Sequence, residues 1–317
     1  MTRNLVGSGS MRLFAAAAAA AAIAGVLLGY AYAIEPRRLQ RRSYRVAVPD
    51  LPDELEGLTI AHLTDFHVGM TGTRRSTLRR ALRLAADWRP DLVALTGDFV
   101  HDGRWLPGAA LFRDMAATAP TFAVLGNHDH AATAAATEGI VAALRAQGVT
   151  VLRNEHRTVP VRGGRGEVVV VAVDDPSQGR DDLATAMVGL SSEVERRRPT
   201  LLLGHAPDVI DRAPPNRFAL TLAGHTHGGQ LRSSPFKRRT PLDVSMAAGG
   251  LDSAYARGTL VVNGNPLFVN SGLGLSGVPF RFLAPPQVAR FTLTRLLSEH
   301  ASADDPERFF LPDSNEG

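Results

Sequence analysis

The sequence contains no cysteine, and Lys237 is the one lysine among its basic residues. Without cysteine, disulfide bonds, thiolate metal sites and cysteine nucleophiles are excluded, so a metal ion would have to be bound by His, Asp, Asn or Glu. Aromatic residues are also scarce, at 6% of the chain. Because we find no basic groove interleaved with aromatic side chains, nucleic acid is not expected as a partner. The strong preference for arginine over lysine suits anionic surfaces. The base composition of the genome can produce the same preference, so it identifies no partner.

An uninterrupted run of apolar and small residues extends from position 13 to position 34. As a helix it would be about 33 Å long, which matches the hydrocarbon core of a bilayer. We therefore predict a single-pass membrane anchor. Arg3 and Arg12 before the run, and the small residues that end at Ala33, also fit a signal peptide, so export after cleavage near Ala33 is the alternative. Arginine lies on both sides of the run, and the side of the membrane is therefore left open.

The rest of the chain divides by composition. Residues 35–43 form a basic linker whose four arginines could contact anionic headgroups or simply be solvated. The expected organisation is an N-terminal flank at 1–12, the apolar segment at 13–34, the linker at 35–43, one domain at 44–297 and a polar tail at 298–317. We expect this tail to fray or to pack loosely.

Short apolar segments alternate with amphipathic ones in the domain region. Six segments are continuously apolar, which is typical of strands in a sheet covered on both faces: 58–63, 91–96, 121–126, 168–173, 200–205 and 218–223. Leu78, Ala81, Leu82 and Ala85 have the spacing of one helix face. Past residue 250, the segments LVVNG, PLFVNSG and QVARFTL indicate further strands. The sequence therefore predicts an α/β fold rich in sheet.

Polar side chains follow five of these segments, at the point where each strand is expected to end. They are Asp65 and His67, Asp98, Asn127 with His128 and Asp129, His205, and His225 with His227. Because ligands of α/β folds bind at the carboxyl ends of strands, we expect these side chains to converge. Each motif alone is also typical of a turn or a hydrogen-bonded histidine, but five recurrences in one chain favour a metal site.

The types of side chain narrow the choice of ion. Imidazole, carboxylate and one amide, without sulfur, suit Mn²⁺, Fe²⁺ or Zn²⁺. There are too many candidate ligands for one ion, whereas two ions about 3.5–4 Å apart, bridged by a carboxylate, would use them.

The five motifs D-x-H, G-D, G-N-H-D, G-H and G-H-T-H, in this order, resemble the calcineurin-like metallophosphoesterases over residues 58–230. The GGQ after GHTH and the N-terminal apolar segment are similar to the membrane-anchored bacterial branch of that family. The resemblance implies an α/β (α+β) sandwich of two mixed β-sheets flanked by helices, here preceded by one N-terminal hydrophobic helix.

The resemblance also implies a role for each residue. It implies a first metal held by Asp65, His67 and His227, a second held by Asn127, His205 and His225, and Asp98 as the bridge. The cofactors would be two divalent ions, with Mn²⁺ preferred and Fe²⁺ or Zn²⁺ as alternatives, and a hydroxide shared by both would be the nucleophile. His128 would protonate the departing alkoxide or stabilise the phosphoryl oxygens, with Asp129 nearby to orient its imidazole.

We therefore expect a metal-dependent phosphoesterase that hydrolyses a phosphodiester or pyrophosphate bond near a membrane surface. One alternative is a pyrophosphatase of a lipid-linked nucleotide sugar, of the UDP-diacylglucosamine type. Others are a nuclease and a non-catalytic metal-binding scaffold, although the presence of Asp98 and His128 disfavours the scaffold. Arg281 could hold a phosphate bidentately. Asp174 and Asp175 could point into the cleft or cap a turn.

Overall fold

The computed structural model describes residues 6–102, 108–176, 179–190, 198–234, 255–295 and 306–312. The strands in these ranges are β1 Gln40–Val48, β2 Thr59–Leu63, β3 Leu92–Thr96, β4 Thr121–Val124, β5 Thr150–Val151, β6 Glu155–Val161, β7 Gly166–Ala172, β8 Thr200–Leu203, β9 Leu220–Ala223, β10 Gly258–Val262, β11 Asn265–Val269, β12 Gln287–Arg295 and β13 Phe310–Pro312. The α-helices are α1 Val6–Gly29, α2 Arg75–Asp87, α3 Arg113–Ala116, α4 Ala134–Arg145, α5 Leu183–Ala186 and α6 Pro306–Phe309.

The strands form two mixed sheets. The first has the order β13-β1-β12-β2-β3-β4-β5, in which β2 to β5 are parallel and β12 is antiparallel to β2. The second has the order β10-β11-β9-β8-β7-β6, in which β7, β8, β9 and β11 are parallel and the edge strands β6 and β10 are antiparallel. The predicted architecture of two mixed sheets flanked by helices is confirmed.

Each sheet is covered on both faces, which explains the continuous apolar segments. In β3, the side chains of Leu92 and Ala94 enter the core between the two sheets. Val93 and Leu95 point the other way, into a cluster that contains Leu78 of α2. Because successive side chains of a strand face opposite sides, a strand between two apolar layers is apolar at every position.

The N-terminal helix α1 continues through a π-helical turn, Tyr30–Ile34, and a 3₁₀ turn, Glu35–Arg37. The stretch Met11–Arg37 is long and apolar enough to cross a membrane by length and composition. Residues 11–29 are all exposed, so the apolar surface of this helix is not buried against the domain. One N-terminal apolar helix is thus present, as predicted.

The two ends of the domain differ from the sequence-based expectation. Strand pairing begins at Gln40, inside the segment predicted as a basic linker, because β1 pairs with β12 along its whole length. The expectation of a loosely packed tail is wrong for residues 306–312, since β13 pairs antiparallel with β1. Phe309 and Phe310 are buried there, and the burial of two aromatic rings favours docking of an otherwise polar segment.

Candidate metal centre

The predicted site residues meet where the carboxyl edges of the two sheets come together. The first sheet contributes side chains that follow β2, β3 and β4, namely Asp65, His67, Asp98, Asn127 and His128. The second sheet contributes side chains that follow β8 and β9, namely His205, His225 and His227. A backbone contact links the two sets, because the N–H of His225 donates to the carboxylate of Asp65.

Four buried side chains form a first cluster: Asp65, His67, Asp98 and His227. Nε2 of His67 lies 3.0 Å from Nε2 of His227 and 3.2 Å from Oδ2 of Asp98. Nε2 of His227 lies 3.6 Å from Oδ1 of Asp65. Two carboxylates and two imidazoles whose donor atoms lie this close together fit a divalent cation, by distance and by chemistry.

Three further side chains form a second cluster next to the first. Oδ1 of Asn127 lies 3.1 Å from Nε2 of His205 and 3.1 Å from Nδ1 of His225. Oδ2 of Asp98 lies 3.3 Å from Nε2 of His205 and also contacts His67 of the first cluster. The structure therefore brings all seven predicted ligands together, with Asp98 between the two groups.

The backbone at this site is held in an unusual conformation. Five of the seven residues have positive φ although none is glycine: Asp65 at 52°, His67 at 42°, Asp98 at 54°, His225 at 71° and His227 at 52°. Such a conformation costs on the order of 1–3 kcal/mol per residue and persists where the surroundings enforce it. The concentration of these residues at one point indicates that the fold positions their side chains at a cost in stability.

Two glycines permit the close approach of the strand-end loops. A Cβ on Gly126 would lie 2.2 Å from Oδ1 of Asp98, and a Cβ on Gly224 would lie 2.2 Å from Oγ1 of Thr64. Any larger residue would therefore displace a neighbouring side chain. Close packing between the loops therefore explains why glycine precedes the polar residue in these motifs.

Hydrogen bonds orient the ligand atoms toward the centre. Nδ1–H of His205 donates to the carbonyl of Thr96 at 2.7 Å, which leaves Nε2 as the ligand atom. The N–H of His128 donates to Oδ1 of Asp98 at 2.9 Å, which leaves Oδ2 to face both clusters. Burial lowers the pKa of His67 and of His225 to about 4, so both imidazoles are neutral at pH 7, the form that binds metal.

The carboxylates of the first cluster differ in their electrostatics. Burial opposes the ionisation of Asp98, but the nearby His205 and His67 hold the pKa of its carboxyl well below the usual range. Burial, together with the negative charge of Asp98, raises the pKa of Asp65 to about 7. A cation between these two groups would relieve this repulsion, as expected of residues that fit a metal.

Comparison with known proteins agrees with this geometry. The profile of the calcineurin-like phosphoesterases matches residues 58–229. The chain belongs to the calcineurin-like phosphoesterase family. It is therefore a metal-dependent phosphoric ester hydrolase, and the family's centre is dinuclear.

Curated relatives match most of this phosphoesterase. The metallophosphoesterase YkuE of Bacillus subtilis is 28% identical, over 89% of this chain and 94% of its own. The phosphodiesterase YaeI of Escherichia coli is 29% identical, over 84% and 92%. A transmembrane protein with a metallophosphoesterase domain from Danio rerio is 28% identical, over 91% of this chain and 64% of its own.

His128 and Asp129 have separate environments in this phosphoesterase. The carboxylate of Asp129 accepts the backbone N–H groups of Phe99, Val100 and Gly126, and so joins the loops that follow β3 and β4. Nδ1–H of His128 donates to the carbonyl of His101, whose ring stacks on it with centroids 5.1 Å apart. The partner that orients the His128 ring is thus His101, and Asp129 positions the backbone around it.

His101 was not predicted from the sequence, because it lies three residues past Asp98 and outside any strand-end motif. In the structure, one ligand atom of His101, of His67 and of His128 lie within 4.8 Å of one another. The one feature of the sequence that could have indicated His101 is its closeness along the chain to Asp98, a predicted ligand.

The prediction that Arg281 binds a phosphate is wrong. Its side chain is fully buried, and Nε and both Nη atoms donate to backbone carbonyls, among them those of Ser271, Gly274 and Ala284. Nη2 also lies 3.3 Å from Nδ1 of His227. These donors are therefore committed within the protein, and Arg281 supports a site residue instead of contacting substrate.

The two acidic residues after β7 are both buried. Oδ1 of Asp174 lies 2.6 Å from Nε2 of His130, and Oδ2 lies 3.2 Å from Nε of Arg153, so both oxygens of this carboxylate contact side chains of the protein. Burial lowers the pKa of His225 to about 4, and the negative charge of Asp175 offsets only part of this effect.

Proposed function

We propose that this phosphoesterase hydrolyses a phosphodiester or pyrophosphate bond with two divalent cations. The first cation is assigned to Asp65, His67 and His227, the second to Asn127, His205 and His225, and the bridging position to Asp98. The observation that carries this assignment is the position of Oδ2 of Asp98, which contacts an imidazole of each cluster. When bound, the cations would supply an activated water and neutralise charge on the phosphoryl group. Mn²⁺ is the proposed ion, with Fe²⁺ and Zn²⁺ as competitors.

The protein's own groups have distinct tasks in this proposal. Because Nδ1–H of His128 is held by the carbonyl of His101, Nε2 is the atom that passes a proton to the leaving oxygen. Asp129 keeps the loops of Asp98 and His128 in register through its three backbone contacts.

We assign the N-terminal helix as an uncleaved single-pass anchor. The residues just before the alternative cleavage point contact the domain: the carbonyl of Ala31 accepts the N–H of Arg281, and the ring of Tyr30 packs against Phe282. Cleavage near Ala33 would remove these contacts, which favours retention. A relative that carries the word transmembrane in its name supports the same assignment.

A phosphodiester is the first substrate class, because one relative of similar length is named a phosphodiesterase. A lipid-linked pyrophosphate, as in nucleotide-sugar lipids, is the second. It is favoured by the closeness of the apolar segment to the site, because the backbone N–H of Arg281 contacts Ala31 of that segment and its guanidinium contacts His227 of the first cluster. A single residue thus joins the end of the apolar helix to the metal centre.

The test uses the full-length protein in detergent, stripped of metal and reloaded separately with Mn²⁺, Fe²⁺ or Zn²⁺. Bis(p-nitrophenyl) phosphate, p-nitrophenyl phosphate and a UDP-linked glycolipid distinguish diesterase, monoesterase and pyrophosphatase activities. We expect Asp98→Asn to lose turnover and metal content, and His128→Ala to lower kcat about 10²–10⁴-fold while retaining metal. Asp114→Asn, an exposed carboxylate on α3, is the matched control and should behave as wild type.

Two results would refute the proposal. One is wild-type turnover in Asp98→Asn, which would remove the bridging role. The other is a folded protein that binds two metals but has no turnover on any of the three substrates, which would favour the non-catalytic scaffold.

A further inference from the structure

The segment between the apolar helix and β1 is fixed against α2. Oγ1 of Thr77 donates to the carbonyl of Pro36 at 3.2 Å, and Nη2 of Arg80 donates to the carbonyl of Arg37 at 2.8 Å. Arg74, just before α2, lies over the ring of Tyr32. Helix α2 is therefore held beside the end of the proposed membrane anchor.

This attachment sets the level of α2 relative to the bilayer. The apolar run ends at residue 34, so an anchor that spans the hydrocarbon core places the 3₁₀ turn Glu35–Arg37 among the headgroups. Arg80 contacts that turn directly. At about 1.5 Å rise per residue, Arg79 and Arg83 lie within about 5 Å of Arg80 along the helix axis. The arginines in this part of α2 therefore lie near the level of that turn.

Four arginines line one depression at this level, with a volume of about 710 Å³. Arg41 comes from β1, and Arg79, Arg80 and Arg83 come from α2; we refer to this surface as the arginine depression. All four are exposed, and Asp87 is the one acidic residue among those that line it. Within the described part of the chain, none of the four forms an ion pair with a carboxylate.

We propose that the arginine depression binds the phosphate headgroups of anionic glycerophospholipids in the membrane that holds α1. The guanidinium fork matches phosphate oxygens in geometry and charge, and four such groups without carboxylate partners form a positive surface that favours binding of an anion. The headgroup zone supplies one at the level that the anchor fixes. The inference rests on the proposed anchor and adds a lipid site separate from the metal centre.

The first experiment measures protection of individual arginines. The full-length protein is placed in nanodiscs of phosphatidylcholine alone or with about a third phosphatidylglycerol. Phenylglyoxal modification of each arginine is then followed by peptide mass spectrometry. We expect Arg79, Arg80 and Arg83 to react several-fold more slowly with phosphatidylglycerol, whereas Arg157 and Arg165, exposed elsewhere, react equally in both. Equal rates for the α2 arginines in the two discs would overturn the proposal.

Anions other than lipid headgroups are tested by adding them to the protein in discs of phosphatidylcholine alone. If inorganic phosphate or a short RNA oligonucleotide protects these arginines as well as phosphatidylglycerol does, the lipid assignment is wrong. If neither protects them, the headgroup assignment stands.

A matched pair of variants completes the test. Native mass spectrometry in detergent counts phosphatidylglycerol bound to R79Q/R83Q, which keeps Arg80 and its contact to Arg37, and to R157Q/R165Q, which changes the net charge equally. Relative to the wild type, we expect R79Q/R83Q to bind phosphatidylglycerol roughly 25-fold more weakly, at about fivefold per arginine. We expect R157Q/R165Q to bind it as the wild type does. Equal binding by the two variants would refute the site. Because no substrate is needed, this outcome is independent of the proposed activity.

Discussion

The side chain of Arg281 connects His227, a proposed metal ligand, to the loop that contains Ser271 and Gly274. Its guanidinium contacts Nδ1 of His227 and donates to the carbonyls of Ser271 and Gly274. Burial lowers the pKa of this guanidinium to about 10, so it remains charged at pH 7. Nη1 also lies 3.4 Å from the backbone carbonyl of His227, so this rigid cation holds the backbone that carries the His227 ring.

We predict that Arg281→Lys disturbs the first cluster even though it keeps the charge. A lysine ammonium cannot satisfy the same set of carbonyls, and unsatisfied buried acceptors cost about 1–3 kcal/mol each. Metal content by elemental analysis should fall from two ions toward one, and the free energy of unfolding should fall by about 2–3 kcal/mol. The exposed Arg145→Lys serves as the control. Full metal content in Arg281→Lys would show that His227 is positioned without it.

A second buried residue, His62 of β2, links stability to pH. Its Nε2 lies 2.8 Å from Oγ1 of Thr96, and burial lowers the pKa of the ring to about 3 from a usual value of 6.5. Between these two values the unfolded chain binds a proton that the folded protein does not bind. Stability should therefore fall as the pH falls from 6.5 toward 3.

The variant His62→Gln isolates this contribution. Near pH 7 it should be less stable than wild type, because the packing of the imidazole is lost. As the pH falls below 6.5, the difference should shrink by roughly 1.4 kcal/mol per pH unit. Chemical denaturation of both proteins at several pH values measures it. A difference that stays constant with pH would contradict the assignment to His62.

At the level of elements, the predictable strands are those buried on both faces. Segments such as 91–96 and 200–205 contain β3 and β8, because continuous apolar composition is what a doubly covered strand requires. Strand β6 was missed, since it is an edge strand with charged residues and Pro160, which the interior of a sheet excludes. Strand β13 was missed because three residues carry no periodicity.

The candidate site could be predicted from the sequence about as far as the strands could, and for a related reason. Ligands at strand ends are visible in sequence because the strand that precedes each one is visible. His101 and the support role of Arg281 depend on how loops fold back, and no local pattern encodes that contact. The sequence therefore indicated which side chains converge but not which groups orient them.

The loop after β4 provides a prediction at this scale. A Cβ at Gly126 would lie 2.2 Å from Oδ1 of Asp98 and 2.6 Å from its backbone nitrogen, so Gly126→Ala must move the loop that carries Asp98. We expect a loss of turnover of about 10²-fold or more, because a shift of about 1 Å in a catalytic geometry has an effect of this size.

Gly139→Ala is the matched control, because a Cβ there meets nothing within 4 Å. Placed in α4, it should leave activity unchanged and increase stability by about 0.5–1 kcal/mol. Equal kcat values for Gly126→Ala and Gly139→Ala would show that the close approach at Gly126 has no catalytic importance.

At the level of the whole molecule, the metal centre lies between the two sheets. The first sheet supplies Asp65, His67, Asp98 and Asn127, and the second supplies His205, His225 and His227. Each proposed cation has ligands from both sheets, so it would link the halves of the sandwich at one edge. The opposite side of the interface is held by apolar packing, for example of Leu58 and Val168.

Metal removal should therefore lower the stability of the entire domain and not only abolish activity. A ligand whose free concentration is about 100 times its Kd stabilises the folded state by about 2.7 kcal/mol. For a domain of this size, that corresponds to roughly 5–10 °C in Tm. We expect a chelator to lower the Tm of the wild type by this amount and added Mn²⁺ to restore it, whereas Asp98→Asn should respond little to either. If the Tm of the wild type does not change, the cations do not link the two sheets, and the burial of two carboxylates beside four histidines must be stabilised by the protein alone.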